Sequence, residues 1–344
     1  MRAAVFHAIG EKLVVEDRQR PRAEPGELVL KVAFAGICGS DIHATEPSPV
    51  PLEAGTVLGH EFAGEVVETA SPAFAVGDRV IGVPLRECDE CRPLGTCKDN
   101  LGILCARSRI VGMSAAVPGA YAEYVRIGAG HALRVPAGID LKHAALTEPL
   151  AVGAHAVRIA GSLYGARVLV VGAGPIGLAV TAFAQLAGAR IVGVSEIDPT
   201  RRERAAHVGA TVLLDPRTEA IDTVFAAAAG GAPDVIFECV GVPGLLRACM
   251  AMAPVHGRIV VVGVNRGEDV VLPRVGIRKE LTLQFALGYQ PEDFSLVLDL
   301  MRAGRLDAAG MISSVIGLSD VPEMFERLRG PNPHAKVLID PSQQ

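Results

Sequence analysis

The stretch Val168-Leu169-Val170-Val171-Gly172-Ala173-Gly174-Pro175-Ile176-Gly177 decides the fold class. Four strand-forming apolar residues run into glycines spaced G-x-G-x-x-G, and an apolar, alanine-rich segment follows. The pattern reads as a buried strand, a tight turn and a helix, the unit that binds a dinucleotide. Gly172 permits the turn, Gly174 lets the backbone approach a pyrophosphate, and Gly177 lets helix and strand pack closely. Pro175 and Ile176 stand at the helix start, where free N–H groups and the helix dipole attract phosphate. Glu196 closes the next apolar run, Ile191–Val194, 24 residues beyond Gly172. A carboxylate at that spacing takes the ribose hydroxyls and repels a 2′-phosphate, which favours NAD over NADP. Arg201 and Arg202 follow closely and offer a phosphate some tolerance, so Arg201 is counted with the cofactor positions. The 22 residues Val168–Ala189 carry no charge and are long enough to span a membrane. Their glycines, Pro175 and the valine-rich opening favour strand, turn and helix instead. The N-terminus MRAAVFHAIGEKL is no signal peptide, and a cytoplasmic protein is expected.

From about 152 to 290, apolar segments at 168–171, 191–194, 235–238 and 259–262 alternate with alanine-rich helical ones. Such alternation predicts βαβ units on a parallel sheet. Residues 1–151 carry short β-type runs separated by glycine and proline, at Leu28–Phe34, Glu65–Glu68, Arg79–Val83 and Tyr121–Ile127. Residues 291–344 read as a helix over Asp293–Ala303, a strand over Ile312–Ile316, a helix over Val321–Leu328 and a last strand near Lys336–Ile339. This segment is long enough to return to the first domain, which makes 152–290 an insertion. At roughly 150 residues per domain, 344 residues agree with two domains. Half the residues are hydrophobic and 21% are charged, which excludes a largely disordered chain. A net charge of −5 without basic blocks argues against a nucleic-acid partner.

Seven cysteines, at 38, 88, 91, 97, 105, 239 and 249, are odd in number and uneven in spacing. A disulfide framework is more often short, even-numbered and cysteine-dense, so metal binding in a reducing compartment is the better reading. Three separated pieces carry ligand chemistry: Cys38-Gly-Ser40-Asp41-Ile-His43, Gly59-His60-Glu61 and Thr147-Glu148-Pro149. A Cys38 thiolate, a His60 imidazole and one carboxylate make a three-ligand zinc set with an open fourth position. Such a site polarises a carbonyl or lowers the pKa of a bound alcohol.

The segments GICGSDIH (36–43), GHEFAGEVV (59–67), VGDRV (76–80), TEPLAV (147–152) and VLVVGAGPIG (168–177) together carry a resemblance. The chain resembles the zinc-containing medium-chain dehydrogenase/reductase family over essentially its whole length, and within it the polyol, threonine and butanediol dehydrogenase branch. The resemblance implies an α/β fold, with a doubly wound Rossmann domain inserted in a mainly β, partly open-barrel, GroES-like catalytic domain. It implies one catalytic and one structural zinc per chain, NAD, and a homotetramer or homodimer. Cys38 and His60 would ligate the catalytic zinc, with Glu61 coming on and off. Glu148 stands where liver-type alcohol dehydrogenases carry a cysteine, and would ligate directly or through water. Asp41 would hold the His60 ring. Ser40 would take the alcohol proton and His43 would pass it to solvent.

Cys88, Cys91, Cys97 and Cys105 are spaced C-x2-C-x5-C-x7-C. A closed tetrahedral thiolate zinc would staple this loop. Many family members carry a structural zinc here, with C-x2-C-x2-C-x7-C, so this chain inserts three residues between the second and third ligands. Disulfides or free thiols are the alternative in an oxidising compartment. Cys239 and Cys249 read as core residues.

By the same resemblance, Val262-Gly263-Val264 and Phe285-Ala286-Leu287 lie along the nicotinamide side, and Val240 joins them among the cofactor positions. Sugar-alcohol dehydrogenases are expected to place an arginine near Ala286 and an aromatic near Ala44; without them polyol hydroxyls would go unpaired. The expected reaction is therefore hydride transfer between a compact secondary alcohol or vicinal diol and NAD, giving the ketone. Threonine or polyol oxidation by the same machinery is the alternative. A silent NAD-binding sensor is the rival of another class, and the joint presence of Cys38, His60 and Glu148 argues against it.

Overall fold

Val168–Val171 lie in the strand Arg167–Val171, at the centre of a six-stranded sheet. On one side stand Ile191–Ser195 and then Val212–Leu214; on the other stand Val235–Glu238, Arg258–Val261 and Thr282–Phe285. All five pairings are parallel, as the alternating pattern predicts. Val168, Leu169 and Val170 are wholly buried, which a strand with both faces covered requires. The strand order reverses at Arg167–Val171, and such a switch point opens a ligand crevice at the carboxyl ends of the strands. The glycine turn sits there. Gly172 has φ 99°, and a Cβ on Gly177 would overlap the Gly172 carbonyl, so neither position tolerates a side chain. Gly174 caps the helix Pro175–Leu186, and the place of its missing Cβ is open space. Val212–Leu214 and Thr282–Phe285 gave no signal in the sequence. The first is three residues long, and the second is an edge strand exposed at all four residues.

The computed structural model describes residues 1–86, 102–105 and 107–343. The chain divides into two units, Met1–Glu148 with Gln290–Gln344, and Pro149–Tyr289. Val168–Ala189 is split between a strand and a helix of 12 residues, and no helix among the described residues is long and apolar enough to cross a membrane.

The first unit is built around the long strand Glu27–Gly36. Glu61–Thr69 pairs with it along its length. On the opposite edge Tyr124–Gly128 pairs with its first half, and Lys336–Asp340 with its last residues. Arg79–Gly82 and Ala132–Arg134 extend the sheet beyond Glu61–Thr69, and Ile312–Gly317 lies parallel to Lys336–Asp340. The C-terminal strand thus completes the N-terminal sheet. Leu28, Leu30, Val66, Val125, Ile127, Val337 and Ile339 share one buried core. Placing ~10 such side chains out of water supplies tens of kcal/mol against chain entropy. The register opposes Gly36 to Glu61, and this pairing positions the site.

Candidate active site

Cys38 follows Gly36 by two residues, and His60 precedes Glu61 by one, so the Gly36–Glu61 register brings Cys38 and His60 to adjoining strand ends. Cys38 is the N-cap of the short helix Gly39–Ala44, which carries Ser40, Asp41 and His43. One donor atom from each of Cys38, His60 and Glu61 falls within 4.8 Å of the others. The Asp41 Oδ1 is 3.1 Å from His60 Nδ1, which leaves Nε2 for the metal side. Ser40 Oγ donates to Cys38 Sγ at 3.2 Å and lies 3.4 Å from His60 Nε2. Thiolate, imidazole and carboxylate within reach of one ion, with a carboxylate behind the imidazole, form a donor set that fits zinc.

Burial pulls the His60 imidazolium down, but the Asp41 carboxylate and the Cys38 sulfur together raise it well above its ordinary value. Burial likewise pushes Asp41 up, while His60, the Tyr121 hydroxyl and the Cys38 N–H bring it below the usual range. Both shifts favour the charged pair, the state a metal ion would convert to metal-bound imidazole beside a carboxylate.

Glu61 is bound by a residue that the sequence reading did not single out. Lys336 Nζ donates to both carboxylate oxygens, and to the Ile37 carbonyl at 3.1 Å. A Cβ on Gly36 would overlap Glu61 Oε2, so the glycine makes the room this carboxylate occupies. Tyr121, also missed as a functional residue, donates to Asp41 Oδ2 at 2.5 Å. Neither had a local signal: Tyr121 and Lys336 read as strand residues, and their partners lie 80 and 275 residues away.

Glu148 lies buried in the first turn of the helix Thr147–Ile159, outside the trio of converged donors. Burial raises its carboxyl to about 7, with His60 pulling down and Glu61 pushing up. His43 is half exposed, with Nδ1 3.0 Å from Glu46 Oε2. Cys88, Cys91 and Cys97 lie outside the described residues; Cys105 is described and buried.

In the second unit, Glu196 is buried and reaches back to the glycine turn. Its Oε2 accepts from the Ala173 N–H at 2.8 Å and its Oε1 from the Asp198 N–H at 2.9 Å. The Arg201 backbone N–H caps onto Asp198, starting the helix Pro199–His207. Arg202 is engaged with Asp215 at 3.1 Å and with the Glu196 and Ile197 carbonyls. Glu238 Oε1 accepts from the Val240 and Gly241 N–H groups at 2.7 and 2.8 Å. A Cβ on Gly263 would sit 2.8 Å from Glu238 Oε2, so the Val240 and Val262–Val264 segments meet over this acid. Val262 is buried; Val264, Phe285 and Leu287 are exposed, and the Ala286 N–H bonds Val261. Cys249 is a core residue whose thiol burial pushes up to about 12, and Cys239 is half-buried.

Residues 24–137 match the family model of the alcohol dehydrogenase GroES-like domain, and residues 175–303 match that of the zinc-binding dehydrogenases. (R,R)-Butanediol dehydrogenase of Bacillus subtilis strain 168 is 31% identical over 356 residues, covering 99% of this chain and 100% of that one. The chain belongs to the zinc-containing alcohol dehydrogenase family. The crystal structure of B. subtilis 2R,3R-butanediol dehydrogenase superimposes on this dehydrogenase with a TM-score of 0.88, over 99% of each chain. A structure described as a zinc-binding dehydrogenase from Sinorhizobium meliloti 1021, bound to NADP, gives 0.89 at 31% identity over 99% of each chain. L-Galactonate-5-dehydrogenase of Escherichia coli K12 is 33% identical over 92% of each chain. This dehydrogenase is accordingly an oxidoreductase with the expected GroES-like and Rossmann folds, of a family that uses zinc and NAD(P).

Proposed function

We propose that this dehydrogenase oxidises a compact secondary alcohol or vicinal diol to the ketone with NAD, on a zinc held by Cys38, His60 and Glu61. The convergence of those three donors within 4.8 Å, with Asp41 behind the imidazole, carries the reading. Bound there, zinc would supply Lewis-acid stabilisation of an alkoxide, and NAD would take the hydride from the carbinol carbon. Ser40, beside Cys38 Sγ and His60 Nε2, is placed to accept the alcohol proton. His43, one turn further and open to water, passes it to solvent. Glu61, held by Lys336, would come on and off the metal, and Glu148 would ligate it directly or through water.

Cys88, Cys91, Cys97 and Cys105 would hold a second, structural zinc, a reading that rests on their C-x2-C-x5-C-x7-C spacing. Gly172, Gly174, Pro175, Ile176, Gly177, Glu196, Arg201, Val240, Val262, Gly263, Val264, Phe285, Ala286 and Leu287 contact the cofactor, with Glu196 favouring NAD over NADP. The protein is a cytoplasmic homotetramer. The polyhydroxy acid in the name of the L-galactonate relative favours a second reading, a polyol-type substrate with the same mechanism. Metal analysis with a screen of secondary alcohols, diols, polyols and threonine against NAD and NADP tests both. Replacing Cys38 by serine should abolish turnover and leave NAD binding; retained turnover sinks the metal mechanism.

A further inference from the structure

We propose that Tyr121 is a positioning residue of the metal site: its hydroxyl fixes the Asp41 carboxylate that orients His60 and anchors Cys38. The inference rests on the reading of Cys38 and His60 as metal ligands. Asp41 is wholly buried, and its two oxygens meet three partners. Oδ1 faces His60 Nδ1 at 3.1 Å; Oδ2 accepts from the Cys38 N–H at 3.2 Å and from Tyr121 Oη–H at 2.5 Å. One carboxylate therefore joins the backbone of one ligand to the ring of another, and the phenol is the third point that stops it rotating. A short hydrogen bond to an ionised acceptor is among the stronger kinds.

Tyr121 is itself held rigidly. Its N–H bonds the Leu58 carbonyl at 2.9 Å, its carbonyl accepts from the Ala4 N–H at 2.8 Å, and the Ala120 N–H bonds Gly59 at 2.8 Å. The ring lies where a Cβ on Gly59 would stand, and Gly59, at φ 98°, immediately precedes His60. The same tyrosine thus supports both the loop that presents His60 and the acid that aims it. Packing alone accounts for the ring but not the hydroxyl, since a phenylalanine fills the same space and buries no polar group. Freed of the phenol, Asp41 keeps two partners and gains rotational freedom, and the loss is passed to the imidazole.

The test is Tyr121→Phe in the full chain. The catalytic zinc is identified as the ion that the Cys38→Ser protein fails to bind. Competition against a chelator should show that zinc held about 3–10-fold more weakly, and Co2+ substitution should give a shifted d–d spectrum. In an Asp41→Asn background the same change should alter affinity by less than about twofold, because the phenol acts through the carboxylate. NAD binding to the metal-free protein should stay within about twofold and its far-UV circular dichroism spectrum should be unchanged, which together show that both units of the variant fold. Unchanged zinc affinity and cobalt spectrum with only a lower melting temperature would overturn the proposal, as would full additivity with Asp41→Asn. If Cys38→Ser keeps both metals at full affinity, the ligand reading itself fails, a result distinct from either.

Discussion

Lys336 Nζ sits 2.6 and 2.7 Å from the two carboxylate oxygens of Glu61, and both side chains are 1% exposed. A bare ammonium or carboxylate at that depth would be strongly destabilising, so each residue requires the other. The pair also places a cation next to a cluster holding Cys38, Glu61 and Glu148, where it offsets part of the buried negative charge.

Lys336→Met should lower stability by about 3–5 kcal/mol, because it strands Glu61 without a partner. The double variant Lys336→Met/Glu61→Gln should recover much of that loss. Denaturant titration of the two proteins checks it; equal losses would show that the charge pair is not the cause.

Gly36→Ala should displace Glu61, whose Oε2 occupies the space the new methyl needs. Overpacking of this kind costs about 1–3 kcal/mol. The Glu61→Gln protein should show the same penalty to within about 1 kcal/mol if sterics dominate, and melting curves of both distinguish the cases.

Glu148 gives the metal-free protein a pH signature. Its folded pKa of about 7 lies above the ordinary 4.5, so the native state binds the proton more tightly than the unfolded chain. The resulting stability is full below the ordinary value and is lost as pH rises through about 7. The swing is on the order of 3 kcal/mol, and Glu148→Gln should flatten that part of the stability curve in zinc-stripped protein. A curve unchanged by the substitution removes Glu148 as its source.

Glu196 is tied to the glycine turn through the Ala173 N–H, at the strand end expected to meet the adenosine ribose. Glu196→Gln keeps the size and removes the charge that opposes a 2′-phosphate. The ratio of kcat/KM for NADP over NAD should rise about tenfold, equivalent to roughly 1.4 kcal/mol. Steady-state kinetics with both cofactors decide it, and an unchanged ratio means the discrimination lies elsewhere.

The four central strands of the parallel sheet were legible because each is a short, continuous apolar run, and the two outer strands were not, because one is only three residues long and the other is an edge strand exposed at all four residues. The Cys38, His60 and Glu61 donors were legible because their residue types and neighbouring glycines mark ligand chemistry locally. Glu148 is remote from them in the sequence, and the fold buries it where the charges of His60, Glu61, Lys336 and Asp41 all act on its carboxyl.

What the sequence determined by itself was therefore whatever is written within a few residues: strand, glycine turn, helix and ligand types. Tertiary structure alone decided which groups surround those ligands. Lys336 reaches Glu61 only because the last strand pairs with Glu27–Gly36, and Tyr121 reaches Asp41 only because its loop bonds across Leu58 and Gly59. A buried charge is compatible with folding only when its partner arrives with it, and that condition is met by strand register and loop packing between distant segments.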